Sequence, residues 1–226
     1  MVPRILTHDQ QQRRLHISSD LLRNAEMFDR AFTGDETWCF QYDQETKRQS
    51  MQWKAQNSFR PKKSTHVSVT GQERACVFIR SQGDSSLRIR CKRTKGKSTL
   101  LTRLWECVRR KRPGLWSDMW IIHRASSPTQ DALRVREFLA KNSITKMDHP
   151  PFSPDLAPSD FWLFPKLKNA LKRQRFADLS DIQRNVKTLL RGIPANDFQD
   201  CFRQWHYRLT KRIASQREYF EGDSSH

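Results

Sequence analysis

The chain lacks any apolar run of the roughly 18 residues that a membrane-spanning helix requires. Its first residues hold no apolar h-region, which argues against a secretory signal. Met1-Val2-Pro3-Arg4 is not a myristoylation pattern, and Asp223-Ser224-Ser225-His226 offers no prenylation cysteine. No membrane partner is expected. Cys39, Cys76, Cys91, Cys107 and Cys201 are odd in number, scattered, and never spaced as Cys-x-x-Cys. That pattern suits free thiols in a reducing compartment better than a disulfide framework or a zinc site. The stretch "KGKST" (95–99) has the end of a phosphate-binding loop but not its beginning, since Cys91 stands where the first glycine is required. Neither a nucleotide nor another small-molecule substrate is indicated.

Acidic residues are also scarce. Against 42 Lys and Arg there are 24 Asp and Glu, a formal net charge of +18 over 226 residues. A chain this basic attracts polyanions, and nucleic acid is the leading candidate, because each neutralised phosphate releases counterions. DNA as partner would favour a nuclear location, with the cytoplasm as the site before import.

The apolar pattern indicates α/β architecture with a mixed sheet. A helix is expected from Asp9 to Asn24, with Leu15, Ile17, Leu21 and Leu22 near one face and Asp9 able to cap it. "RAFTGDETWCFQYD" (30–43) reads as a strand or hairpin in which Gly34-Asp35 supplies turn or bulge chemistry. Residues 66–99 are poorly readable; "ACVFIRSQGDSSLRIRC" suits a hairpin around Gly83-Asp84. A helix over 100–112 turns Leu101, Leu104, Trp105 and Val108 inward. A strand at 119–123, a helix over 130–141 with Leu133, Val135, Phe138 and Leu139 inward, and a short strand in "SITKMDH" follow. The last third is helical. One stripe there is Leu179, Ile182, Val186 and Leu189; another is Phe198, Phe202, Trp205, Leu209 and Ile213.

Two acids stand out. Asp35 sits beside Gly34 in an otherwise apolar and aromatic strand. Asp160 follows the Pro-rich "HPPFSPDLAPS" at a helix start, where an acid also serves as an ordinary cap. His149, in the "DHPP" turn, reads as structural rather than metal-binding. Basic clusters suited to phosphate contact are Arg60, Lys62 and Lys63 in "RPKKS", and Arg109, Arg110, Lys111 and Arg112 at a helix end. There, cations equally complement the helix dipole.

"TGDETW", "YDQETKRQSMQWK", "RPKKS", "RRKRPGLW", "VREFLAKNSI", "HPPFSPDLAPSDFWLFPKLKNALK", "DIQRNV", "IPANDFQDCF" and "EYFEGD" together resemble the mariner family of Tc1/mariner DNA transposases. The resemblance runs from about residue 2 to residue 223 and is poor over 66–99. It implies an RNase H-like mixed sheet flanked by helices, with a helical C-terminal third. Residues 1–29 would be a linker and lead-in helix following the family's paired helix-turn-helix region, which the chain lacks. Residues 30–226 would be the DDE/D catalytic-type domain. The implied chemistry is DNA cleavage and strand transfer with Mg²⁺ or Mn²⁺ held by three aspartates.

Residue by residue, the resemblance makes Asp35 the first acid and Asp160 the third, both metal ligands. The family's spacing between second and third aspartates, counted back from Asp160, lands on Ala125. The family block reads His-Asp-Asn; this chain reads His123-Arg124-Ala125. The second ligand is missing, and Asp131, the nearest replacement, lies six residues on. Metal binding and catalysis are expected to be impaired. "FSPDL" and "VPRIL" resemble family segments involved in subunit contact, implying a homodimer. The competing readings are a non-enzymatic basic DNA-binding protein and a decayed transposon remnant.

Overall fold

The computed structural model describes residues 6–42, 72–81, 97–111, 120–124, 133–172 and 174–215. Helix α1 (His8–Arg23) opens with Thr7, whose side chain accepts from the Gln10 N–H while the Gln10 side chain accepts from the Thr7 N–H. Thr7 rather than Asp9 is therefore the cap. A hydroxyl one residue before the first helical position satisfies the otherwise orphaned N–H groups, and Asp9 lies in the first turn instead. The inward face of α1 also differs from expectation. Arg14 and Ser18 are buried beside Leu21, whereas Leu15, Ile17 and Leu22 are half-buried.

Strands β1 (Ala31–Phe40), β2 (Gln72–Ile79), β3 (Ile121–His123) and β4 (Thr145–Met147) form one sheet in the order β2-β1-β3-β4. β1 pairs antiparallel with β2 from Thr33↔Ile79 to Phe40↔Gln72, and parallel with β3 from Ala31↔Ile121 to Thr33↔His123. β3 pairs parallel with β4. Gly34-Asp35 is thus neither a turn nor a bulge but part of a continuous ten-residue strand. The reason for the glycine is a close approach. A Cβ on Gly34 would lie 2.3 Å from Phe78 Cδ1 and 2.7 Å from the Val77 carbonyl oxygen. The first arm of the expected 75–91 hairpin falls in β2; its second arm lies outside the described residues.

Helices α2 (Lys97–Lys111) and α3 (Leu133–Lys141) cover one sheet face. Leu101, Leu104 and Val108, spaced three and four apart, pack with Val135 and Leu139 onto Phe32, Phe78 and Ile122. Leu133, expected inward, is 70% exposed, because the inward stripe of this short helix begins at Val135. The other face carries α4 (Phe164–Leu171), α5 (Leu179–Arg191) and α6 (Ala195–Ala214). In α5 the core residues are Ile182, Val186 and Leu190 at a strict four-residue interval. Ile182 and Val186 are buried as expected; at the ends of the stripe Leu179 is exposed and Leu189 half-buried, and Leu190 is buried instead. α6 buries Phe198, Phe202, Trp205 and Leu209 as expected; Ile213 is half-buried. Trp205 is fully buried and stacks on Phe28 at 4.2 Å. Each such side chain contributes roughly 1.5–3 kcal/mol by leaving water.

Gly34→Ala is expected to destabilise the fold by about 1–3 kcal/mol, with part of that loss recovered when Phe78→Leu is added. Denaturant midpoints of the single and double variants check this; an unchanged midpoint in Gly34→Ala would contradict the close approach.

Candidate functional site

The pleat of β1 sends alternate residues to opposite faces. Thr33, Asp35, Thr37 and Cys39 face α4–α6; Phe32, Gly34, Glu36 and Trp38 face the other way. Asp35 Oδ1 accepts from the Glu36 N–H at 2.8 Å.

Asp160 is brought to β1 by an unusual turn. Pro154–Leu156 is a 3₁₀ turn, and Ser159–Leu163 is a π-turn closed by the Phe164 N–H donating to the Ser159 carbonyl. Pro165 lies just beyond. A proline in a helix has no N–H to give and its ring crowds the carbonyl four residues back, which a wider turn relieves. Asp160 is therefore neither a plain N-cap nor a regular first-turn acid. The π-turn rests against β1. There the Asp160 carboxyl is raised to about 6, first because burial disfavours its charge and next because Asp35 repels it; Lys168 opposes both. Asp35 and Asp160 are thus close enough to act on each other electrostatically.

A second polar cluster ties the same segments together. His123, at the end of β3, is fully buried. Its Nδ1 lies 2.9 Å from Thr33 Oγ1 and its Nε2 lies 3.2 Å from His149 Nδ1. His149 also bonds the Ser153 backbone. One set of tautomers satisfies all these contacts. The Thr33 hydroxyl donates to His123 Nδ1, His123 Nε2–H donates to His149 Nδ1, and the remaining His149 N–H donates to Ser153. Both rings are then neutral. Burial pushes His149 down to about 4, with the Ser153 bond opposing and Arg14 adding to the fall. Burial, then His149, pushes His123 well below the ordinary range. His149 is structural, as its sequence context indicated.

Arg14 Nη2 donates to Asp155 Oδ2 at 2.6 Å, joining α1 to the 3₁₀ turn ahead of Asp160. Arg124 turns to the face opposite Asp35. It lies over the Phe78 ring at 5.5 Å, with Nη2 3.6 Å from Glu36 Oε1, and Glu36 also pairs with Arg74 at 3.1 Å. None of Arg14, Asp155, Glu36 and Arg124 was singled out as a site residue. A buried ion pair between residues 14 and 155 leaves no local pattern.

Of the basic candidates, Arg109 and Arg110 are exposed at the end of α2, and Arg109 stacks over Trp105 at 5.5 Å. Arg60, Lys62, Lys63 and Arg112, the Lys111 side chain, Ala125 and Asp131 lie outside the described residues. Cys39, Cys76 and Cys201 are free and buried. Among the described residues, no group of three His, Cys, Asp or Glu side chains could hold a metal, and no helix is long and apolar enough to cross a membrane. Asp35 and Asp160 are carboxylates, the donor type a hard divalent cation takes, and their repulsion is what such a cation would relieve.

No family model matches the chain. It is 27% identical over 235 residues, 97% of its length, to the mariner Mos1 transposase of Drosophila mauritiana. The chain resembles the mariner transposases. It is also 28% identical over 236 residues to the histone-lysine N-methyltransferase SETMAR of Homo sapiens. This mariner-like chain spans 66% of the first relative and 33% of the second. The catalytic domain of Mos1 mariner transposase superposes with a TM-score of 0.78 at 23% identity, covering 98% of this chain and all of that one. A pre-cleavage Mos1 transpososome gives 0.84 at 24% identity over 98% of this chain and 66% of that one. The fold is RNase H-like: a mixed four-stranded sheet flanked by helices.

The two buried pKa shifts oppose each other with pH. His149 is protonated more readily when unfolded, so its contribution is complete above about pH 6.5 and is lost as pH falls toward 4. Asp160 is deprotonated more readily when unfolded, so its cost grows as pH rises from 3.8 to about 6 and is complete above that. Asp160→Asn should raise the melting temperature by several degrees at pH 7.5, with the gain vanishing near pH 3.5. His149→Asn should flatten the loss of stability between pH 6.5 and 4. Thermal melts across that range check both signs.

Proposed function

We propose that this chain is a mariner-transposase-derived nucleic-acid-binding protein whose family chemistry, divalent-metal-dependent DNA cleavage and strand transfer, is impaired. The observation that carries this reading is the meeting of Asp35 and Asp160, from distant parts of the chain, on one face of an RNase H-like sheet. The register adds support. Thr33 pairs with His123; two residues after Thr33 stands Asp35, and two after His123 stands Ala125. In the sequence, the place where the resemblance puts the second acid is therefore an alanine, whose methyl group cannot ligate a metal. Arg124 brings no carboxylate either, and its cation is held on the opposite face by Glu36 and Phe78.

In this reading Asp35 and Asp160 hold Mg²⁺ or Mn²⁺ with a ligand missing, so binding is weakened. Mos1 structures are described with Mn and with Mg. The chemistry such an ion supplies is Lewis-acid polarisation of a phosphodiester. The chain's own part is to place two carboxylates rigidly. β1 fixes Asp35 through two sheet partners, and the π-turn fixes Asp160 through the His149 turn. DNA is the proposed partner: the net charge is +18, and Mos1 is described in transpososome, paired-end and strand-transfer complexes. A homodimer is proposed from the paired-end complexes of Mos1, and nuclear residence from DNA as the partner. Residues 30–226 serve as the catalytic-type unit and residues 1–29 as its lead-in.

A nicking assay with Mn²⁺ or Mg²⁺ tests the enzymatic half. Activity is expected to be weak, lost in Asp35→Ala, and raised at least roughly tenfold by Ala125→Asp, since even indirect metal partners are worth 10–100-fold. Equal products from the parent and Asp35→Ala would remove it. DNA affinity should fall steeply as salt rises; a flat salt response would remove the binding half.

A further inference from the structure

The second half of β1 is not covered like the first. On the face where Phe32 and Gly34 lie under α2 and α3, Trp38 and Phe40 are 47% and 40% exposed. Tyr42 follows two residues on, with the Arg175 guanidinium 4.9 Å above its ring. Arg74, directly across from Trp38 in the ladder, lies 6.0 Å from that ring. Exposed large aromatics carry a cost in water, and two in alternation on one strand make a flat apolar strip.

We propose that Trp38 and Phe40, flanked by Arg74 and Arg175, form a stacking platform for the bases of single-stranded nucleic acid. Four observations favour that occupant over an apolar one. Alternate strand residues stand about 7 Å apart, roughly twice the 3.4 Å spacing of stacked bases. The strip is bounded by guanidinium groups, which stack on bases and pair with phosphates. Glu36, the acid on this face, is already shared between Arg74 and Arg124, leaving one excess positive charge. Finally, the sequence between Tyr42 and Gln72 holds six Lys and Arg against two acids, a balance that suits a polyanion rather than an apolar partner. Paired bases are stacked inside a duplex and cannot reach such a strip; unpaired ones can.

This inference rests on the nucleic-acid reading above, and its test separates the two. Fluorescence anisotropy is measured with a labelled oligo-dT strand and a duplex of equal length at one salt concentration. Trp38→Ala combined with Phe40→Ala should weaken oligo-dT binding roughly ten- to hundred-fold and leave duplex binding within twofold. Trp38→Phe should keep most of the affinity. Single-strand binding within twofold of the parent overturns the platform alone, as does an equal loss on both probes. Failure of the parent to bind either probe overturns both readings. If the double variant instead abolishes self-association in sedimentation, the strip is a contact between copies and the inference falls. Ultraviolet cross-linking of the unaltered protein to iododeoxyuridine-containing oligonucleotide serves if the double variant misfolds. Cross-links mapping to Trp38, Phe40 or Tyr42 support the platform, and cross-links confined elsewhere overturn it.

Discussion

Strand β1 must serve two faces within a few residues, and the strict period of two decides which residue goes where. Thr33, Asp35 and Thr37 reach the helical layer that carries Asp160 and Trp205; Phe32, Gly34 and Glu36 meet Phe78 and Arg124. A slip of one residue would exchange Asp35 for Glu36 and bury a carboxylate against Phe78. The Gly34–Phe78 approach opposes that slip, because another residue at the glycine's place would strike the ring. Every other feature of the site inherits its position from this register.

The acid pair and the imidazole pair illustrate two ways of burying polar groups. Burial and the charge of Asp35 disfavour the Asp160 carboxylate, so that group is poised to take up a proton. His123 and His149 are buried with their hydrogen bonds satisfied in one direction, from Thr33 to Ser153, and remain neutral. The first arrangement costs stability at neutral pH; the second contributes to it. They are adjacent because the turn following His149 leads directly to Asp160. The sheet end thus combines a rigid support with an electrostatically unsettled pair.

Much of this was legible in the sequence, and for identifiable reasons. The aromatic stripe of α6 and the apolar stripe of α2 have the helical period, and both pack as that period requires. Asp35 and Asp160 were legible through the resemblance carried by "TGDETW" and "SPDLAPSD", because neither is distinguishable locally from a turn acid or a cap. What escaped was non-local. Gly34 read as a turn residue, since nothing in the chain says that Phe78 will lie against it. Arg14 was not among the residues expected to face inward from its helix. Its burial follows from Asp155, far away in sequence. The ends of the α5 stripe escaped because Leu179 and Leu189 are as apolar as Leu190, and only the packing selects among them; Ile182 and Val186 pack as their spacing requires.

The Arg14–Asp155 pair also has a mechanical meaning. It joins the helix at the N-terminal side of the fold to the turn that leads into Asp160, through a charge contact rather than an apolar surface. An apolar interface can slide and still retain most of its burial. A charge contact depends more sharply on separation, and here one member, Arg14, is fully buried while Asp155 is 27% exposed. A displacement of α1 would therefore bear on the turn that leads into Asp160 through this contact.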